Sequence, residues 1–233
     1  MDLRSIEKST VVPDLHMHSV FSDGNYTPEQ LADMASENGV NLVSLTDHDE
    51  IAGNERMQKA CEQKNIAFVP GVEISTNYAN KEIHIVGLNI DTSCSELIKA
   101  LQKTKMNRIE RAEAISNKLK EMGYSGALEG AMKFVTNPNL VSRIHFAKWL
   151  VDIKVAATID SAFEKFIGSG RPGFVPLKAP TIPQAVNLIR QSGGIPVLAH
   201  PGRYGLKDWK LQALLDEFKN AGGKVIEVRT GSQ

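Results

Sequence analysis

The chain has 233 residues, of which 42% are hydrophobic and 23% are charged, as is typical of a globular protein. Lys plus Arg and Asp plus Glu both number 27, which excludes the global positive field that holds long duplex nucleic acid. Two distant cysteines, Cys61 and Cys94, argue against a disulfide framework and a cysteine-ligated zinc site. Residues 1–10 lack an apolar signal core and no run approaches the ~18 apolar residues of a membrane span, so we predict a cytoplasmic protein without membrane contacts.

Short apolar runs alternate with helical patterns in the first part of the chain. Thr27, Pro28 and Gln30 form the pattern of a capping box with proline at the first helical position, and a second helix is expected around Ala52–Lys64. The predicted strands are Val11–Leu15, Asn41–Leu45, Ala67–Val69 and Ile83–Leu88. Regular alternation of strands and helices favours an α/β fold with a mainly parallel sheet or barrel.

The pattern changes at about residue 93. A long helical stretch is predicted over Ser95–Met122, and no further strand is expected until Gly173–Val175. Residues 93–175 are therefore interpreted as an inserted helical subdomain, with further helices at Ser142–Val151 and Asp160–Ile167. The alternation then resumes with the helix Thr181–Ser192, the strand Ile195–Ala199, the helix Asp208–Ala221 and the strand Val225–Val228, whose edge is expected to be open.

Histidines and carboxylates occur at or near the ends of the apolar runs. His16 and His18 would project from the same face of a strand, and Asp23 follows in the next loop. The other candidates are His48, Glu73, His84 and His200. A single histidine after a strand is usually a hydrogen-bonded structural residue, but the carboxyl ends of parallel strands meet at one rim. The shared location therefore predicts one polynuclear site, with donors that suit Zn, Mn or Fe.

Several motifs carry a family resemblance. They are Asp14-Leu15-His16-Met17-His18-Ser19, Ser22-Asp23-Gly24, Thr46-Asp47-His48-Asp49, Gly71-Val72-Glu73, His84-Ile85-Val86-Gly87 and Leu198-Ala199-His200-Pro201-Gly202-Arg203-Tyr204. This series resembles the PHP (polymerase and histidinol phosphatase) family. Ser142-Arg143-x-His145 and the stretch Gly170–Pro176 are similar to its branch of 3′,5′-nucleoside bisphosphate phosphatases and 5′→3′ exoribonucleases, the RNase AM type.

The resemblance implies a distorted (β/α)₇ barrel, formed by residues 11–92 and 176–233, with residues 93–175 as the helical insertion that caps the substrate. It also implies up to three ions of Mn²⁺, or of Zn²⁺ or Fe²⁺. His16 and His18 would hold the first ion, Glu73 would bridge it to the second ion, which His84 and His200 also hold, and Asp23 and His48 would hold the third. Glu73 and His200 are the implied catalytic ligands.

One family motif has no counterpart in this sequence. The family supplies two further ligands from a late Asp-x-His motif, and none follows His200. Truncation before that motif is the simplest explanation, so we expect the last barrel elements to be absent.

The expected activity is hydrolysis of phosphate esters by a metal-activated hydroxide. Arg143, His145 and Arg203 are candidate contacts to a second substrate phosphate, although a surface ion pair or a helix cap explains the first two about equally well. The expected partner is a small 3′,5′-bisphosphate nucleotide or the 5′ end of a short RNA. A histidinol-phosphate-type phosphatase and a catalytically inactive PHP module are the alternatives, and the oligomeric state is left open.

Overall fold

The computed structural model describes residues 11–79 and 81–228. Six strands form one sheet in the order of the sequence: β1 (Pro13–Met17), β2 (Leu42–Leu45), β3 (Ala67–Tyr78), β4 (Lys81–Leu88), β5 (Ile195–Leu198) and β6 (Val225–Ile226). The sheet curls until Glu227, which follows β6, lies 2.6 Å from the ring of His16 on β1. The α/β prediction is confirmed.

The sheet is mixed rather than mainly parallel. β1–β2, β2–β3 and β5–β6 are parallel pairs, whereas β4 runs antiparallel to both of its neighbours. Tyr78 at the end of β3 pairs with Lys81 at the start of β4, and so short a connection permits only an antiparallel pair. The alternating pattern did not reveal this hairpin because β3 continues well beyond Val69, where we predicted its end.

The strand predicted at Gly173–Val175 is wrong, because these residues form turns and irregular backbone. Their polar groups are satisfied by helical residues instead of a strand partner. The Phe174 carbonyl accepts a hydrogen bond from Lys118 (2.8 Å), and the Val175 carbonyl accepts one from Arg111 (2.9 Å).

Eight α-helices complete the described fold. They are α1 (Pro28–Glu37), α2 (Asn54–Gln63), α3 (Ser95–Glu121), α4 (Ala127–Met132), α5 (Arg143–Asp152), α6 (Ile159–Ala162), α7 (Ile182–Gln191) and α8 (Asp208–Asn220). Short 3₁₀ turns occupy Pro138–Leu140 and Pro201–Tyr204, and a π-helical turn, Phe163–Ile167, follows α6. The capping box of α1 forms as predicted, with Thr27 and Gln30 each accepting a hydrogen bond from the other's backbone N–H.

Separate apolar clusters lie toward the two ends of the long helix α3. One packs the sheet against α7 and α8 and includes Ile85 and Ile189, while another lies among the helices of residues 112–167 and includes Phe146. α3 contributes to both, through Leu97 in the first and Ile115 in the second. Its middle, with Arg108, is therefore held firmly beside the sheet.

No helix within the described residues combines the length and the apolar character that a bilayer crossing requires. The N-terminal residues 1–10, on which part of the localisation prediction rests, lie outside the described residues.

Candidate metal centre

One buried carboxylate lies at the centre of five histidine rings. Glu73 is in the middle of β3 and is fully buried. Its Oε2 is 3.2 Å from His16 Nε2, 3.2 Å from His18 Nε2 and 3.1 Å from His48 Nδ1, and its Oε1 is 3.1 Å from His84 Nδ1 and 3.0 Å from His200 Nε2. The structure thus brings together the histidines that the sequence selected.

The strands position these rings in different ways. His16 and His18 lie at the end of β1, and His48 forms an isolated parallel bridge with Glu73 just beyond β2. His200 follows β5, with a left-handed backbone (φ 31°) that turns the chain sharply. His84 is inside strand β4, as predicted, and lies opposite Ser75, whereas Glu73 is inside β3 rather than after its end. The hairpin of β3 and β4, rather than a common rim, supplies both residues.

The donor atoms of this cluster are better suited to coordinating divalent metal ions than to forming hydrogen bonds with one another. A carboxylate offers about four lone-pair positions, and here five ring nitrogens face two oxygens. Among the described residues, buried atoms without a hydrogen-bond partner include Glu73 Oε2, His48 Nδ1 and His84 Nδ1. Imidazole and carboxylate donors suit Zn, Mn and Fe. The residues present therefore fit a metal site.

Three donor groups have their ligand atoms within 4.8 Å of one another. They are His16, Glu73 and His200; His18, Asp23 and His48; and His48, Glu73 and His84. Glu73 and His48 each belong to two groups, as expected for bridging positions. His16 and His18 both lie 3.2 Å from Glu73 Oε2, and the pairing of these two histidines on one ion that the family resemblance implies stays a prediction.

Charges of both signs are concentrated at this centre. Burial alone would raise the pKa of Glu73, but His48 and His84 hold it well below its usual range. Burial lowers the pKa of His48 to about 4. Burial would also lower the pKa of His84, but the carboxylates of Glu73 and Glu82 raise it to about 10. The metal-free cluster therefore favours different protonation states on adjacent rings.

Asp23 reaches the centre from an exposed loop. Its carboxylate oxygens lie 3.8 Å from His18 Nδ1 and 3.8 Å from His48 Nε2. The loop is anchored by buried Asp47, which accepts hydrogen bonds from the backbone N–H and hydroxyl of Ser19 (both 2.7 Å) and from the Ser22 hydroxyl (2.5 Å). Asp47 therefore fixes the loop that presents Asp23.

A cleft separates the cluster from the helical insertion. Asp23, His48 and His84 line one side, and Arg143 and His145 line the other.

Two predicted substrate contacts are therefore present in the cleft. The guanidinium of Arg143 lies over the rings of Phe163 (5.7 Å) and Phe174 (5.4 Å) and 3.9 Å from Glu82. His145 also caps α5, since its Nδ1 accepts a hydrogen bond from the Ser142 backbone N–H (3.0 Å). Arg203 is exposed in the Pro201–Tyr204 turn and is not among the residues that line this cleft.

The sequence profile of the PHP domain matches residues 14–165. The chain belongs to the PHP domain family. Across 219 residues it is 38% identical to a 3′,5′-nucleoside bisphosphate phosphatase from Chromobacterium violaceum, covering 94% of this chain and 77% of the relative. Across 220 residues it is 40% identical to the 5′-3′ exoribonuclease Rnm of Escherichia coli, covering 94% of this chain and 75% of that enzyme.

Solved structures of the same family share the fold. An amidohydrolase from Chromobacterium violaceum, solved with sulfate and without metal, superposes with a TM-score of 0.85 at 38% identity over 95% of this chain and 78% of the other. A protein from Bifidobacterium adolescentis assigned as a metal-dependent phosphoesterase gives a TM-score of 0.77 at 25% identity over 93% of this chain and 76% of the other.

Glu227 contacts two of the clustered histidines and was missed by the sequence analysis. Its Oε1 lies 2.6 Å from His16 Nδ1, and its Oε2 accepts a hydrogen bond from the His200 backbone N–H (2.7 Å). Burial would lower the pKa of His16, but Glu227 and Glu73 raise it to about 9. The signal was present, since Glu227 directly follows β6, but we interpreted that segment only as an edge strand.

Arg108 is the second residue that was missed. Buried in α3, it donates to Asp49 Oδ2 (3.1 and 2.8 Å), to Ser75 Oγ (2.6 Å) and to Glu82 Oε1 (3.2 Å). Each partner lies one or two residues from His48, Glu73 or His84 in the sequence. Only the apolar positions of this helix were used in the sequence analysis, and charge pattern alone does not reveal a buried arginine.

Proposed function

We propose that this PHP domain is a metal-dependent phosphoesterase. Its substrates would be 3′,5′-nucleoside bisphosphates, the 5′ end of short RNA, or both, as the names of its relatives indicate. The observation that carries the proposal is Glu73, a fully buried carboxylate within 3.2 Å of five histidine nitrogens beside a cleft that contains Arg143.

Glu73 and His200 are the proposed catalytic ligands, and Mn²⁺ is the proposed metal, with Zn²⁺ and Fe²⁺ as alternatives. The proposed metal ligands are His16, His18, Asp23, His48, Glu73, His84 and His200. Bound metal ions would supply a water of lowered pKa and would neutralise the phosphoryl oxygens. Glu227 would hold the proton of His16 on Nδ1, because a carboxylate accepts a hydrogen bond from that nitrogen. The unprotonated Nε2, which faces Glu73, would then be available as a metal ligand.

The helical side of the cleft would bind the second phosphate. Arg143 can make a bidentate contact with it, and burial lowers the pKa of this guanidinium, so an anionic ligand would stabilise its charged form. Burial lowers the pKa of His145 to about 4, so its ring is neutral at neutral pH. Since Nδ1 accepts from Ser142, the proton lies on Nε2, which can donate to a phosphate oxygen.

This assignment gives the two parts of the chain different tasks. We propose that residues 11–92 and 176–233 form the metal-binding barrel and that residues 93–175 form the cap that holds substrate. The separate apolar cluster of residues 112–167 supports this division. The Arg108 contacts to Asp49 and Glu82 would keep the two parts in register.

The test is phosphate release by the purified protein loaded separately with Mn²⁺, Zn²⁺ or Fe²⁺. Adenosine 3′,5′-bisphosphate, a short 5′-phosphorylated RNA and histidinol phosphate serve as substrates. We expect turnover of one or both nucleotide substrates, a KM for the bisphosphate raised about tenfold by Arg143→Ala, and no change in Arg190→Ala, a control distant from the cleft. Activity on histidinol phosphate alone would refute the proposal.

A further inference from the structure

Trp209 is an aromatic residue that the proposed site does not use. Its side chain is 66% exposed, the highest value for an aromatic residue in the described part of the chain, whereas Trp149 is only 6% exposed. A single exposed apolar residue is common and needs no explanation. The surroundings of this one are what distinguish it.

Trp209 follows, within a few residues of the chain, a turn that contacts the metal centre. It is the second residue of α8, which follows β5 and the Pro201–Tyr204 turn. That turn is fixed against the centre, because the Tyr204 ring makes an edge-to-face contact with the His200 ring (centroids 5.3 Å apart) and its hydroxyl accepts a hydrogen bond from the His84 backbone N–H (2.9 Å). Trp209 is five residues after Tyr204, so chain geometry keeps it within about 18 Å of that tyrosine.

The segment around Trp209 is positively charged. Residues 201–210 contain Arg203, Lys207 and Lys210 but only one acidic residue, Asp208, in a chain with no net charge. Arg203 and Lys207 are exposed, and the ammonium of Lys210 lies 5.3 Å from the centroid of the Trp209 ring. One ring face is thus covered by a cation, which leaves the opposite face for a planar ligand.

Exposed aromatic rings between cations bind single-stranded nucleic acids, because a base stacks on the ring and the cations neutralise phosphates. We propose that Trp209, with Arg203, Lys207 and Lys210, is a platform for single-stranded RNA whose 5′ end lies at the metal centre. This inference rests on the proposed function and adds a substrate preference to it. None of these residues lines the cleft. A substrate longer than a mononucleotide is therefore required to reach the metal centre and the platform at the same time.

The direct test is tryptophan fluorescence with a short oligoadenylate in EDTA, which requires no turnover. We expect the oligonucleotide to quench the wild-type emission and expect Trp209→Phe to lose that quenching, since the remaining Trp149 is buried. Absence of quenching in the wild type, or its retention in Trp209→Phe, would overturn the platform.

Kinetics with loaded protein supply the second test. In Trp209→Ala we expect the KM for a 5′-phosphorylated oligoadenylate to rise about tenfold relative to that for adenosine 3′,5′-bisphosphate, as loss of one base stack implies. Trp209→Phe, which keeps a stacking face, should restore most of the difference. An unchanged KM ratio in Trp209→Ala overturns the platform, whereas a wild-type protein inactive on both substrates contradicts the proposed function and leaves the fluorescence test decisive.

A charge test separates the platform from general attraction. Affinity for the oligonucleotide falls as the salt concentration rises, and the slope of log affinity against log salt concentration reports the number of phosphate contacts. Lys207→Ala should make this slope shallower by about 0.7, the value for one phosphate contact on a single strand. Lys224→Ala should leave the slope unchanged, because this exposed lysine precedes β6, which is parallel to β5, and so lies at the opposite end of the strands from the turn that follows β5. Equal effects of the two substitutions would count against a local RNA platform.

Discussion

At the scale of single residues, Glu73 dominates the site because its two oxygens face five imidazoles. No arrangement of protons satisfies all these atoms at once, as the orphaned Oε2 and ring nitrogens show. Such a cluster is costly in a folded protein unless metals bind it. The residues that surround the cluster therefore matter as much as the ligands, because they hold the rings in place before any metal arrives.

Glu227 is one such residue, and Glu227→Gln tests its role. The substitution keeps the shape of the side chain but removes the negative charge of the carboxylate that faces His16 Nδ1. We therefore expect metal affinity to fall about 10- to 100-fold. Metal content after equilibrium dialysis measures the effect, and Glu121→Gln, at an exposed position at the end of α3, is the matched control. Identical affinities for the two variants would show that Glu227 does not orient His16.

Arg108 is the second residue that holds the cluster in place. We expect Arg108→Ala to destabilise the protein by about 3–5 kcal/mol, because it leaves the buried carboxylate of Asp49 without its cationic partner. Arg108→Lys keeps the charge and should recover part of this loss. Urea unfolding in EDTA measures stability without a metal contribution.

A purely structural role for Arg108 would leave metal binding by the folded Arg108→Lys protein unchanged. We expect instead that its metal affinity falls, because Asp49, Ser75 and Glu82 all neighbour proposed ligands. Unaltered metal affinity together with an unaltered kcat would contradict the positioning role.

At the scale of secondary-structure elements, the capping motif predicted the start of α1 correctly, whereas the alternating pattern did not predict the antiparallel direction of β4. Thr27 and Gln30 cap α1 because the orphan N–H groups of a helix end need local acceptors, which the sequence specifies directly. The reversal between β3 and β4 depends on where β3 ends, and an apolar run interrupted by Pro70 and Gly71 suggested an end too early.

The packing of α1 on α2 leads to a pH prediction. Arg56 donates two hydrogen bonds to Glu29 (2.8 and 2.7 Å) and lowers the pKa of that carboxyl from 4.5 to about 2. Because the folded pKa is depressed, this stabilisation is present above pH 4.5 and is lost as the pH falls toward 2. The pair is half exposed, so we expect Glu29→Gln to cost only about 0.5 kcal/mol at pH 7.

Urea unfolding of wild type and Glu29→Gln at pH 7 and at a pH close to 2 checks this expectation. The stability difference should shrink at the lower pH. A difference that grows on acidification would show that the ion pair between the helices does not contribute in the way the geometry indicates.

At the scale of the whole molecule, metal binding should be coupled to folding. The donors come from β1, β3, β4 and the segments after β1, β2 and β5, and they approach one another only in the folded chain. A metal at a hundred times its Kd should therefore stabilise the fold by about 2.7 kcal/mol, which corresponds to a rise in Tm of about 5–10 °C for a protein of this size.

Thermal unfolding with Mn²⁺ and then with EDTA measures this coupling. The rise in Tm should be reversed by the chelator and should be absent from Glu73→Gln, which lacks the central carboxylate. A similar rise in Glu73→Gln would place the bound metal outside the proposed centre.

The sequence by itself identified the clustered histidines, Glu73 and Asp23. Histidines and carboxylates occur at or near the ends of successive apolar runs, and the motifs that contain them follow the order of the PHP family. The sequence also indicated the α/β class and the helical insertion, because periodicity and capping are local properties. Only the tertiary structure decided that β4 is reversed, that Glu227 contacts His16, and that Arg108 contacts Asp49. These contacts join residues far apart in the chain, and their energies depend on burial and distance, which no local pattern encodes.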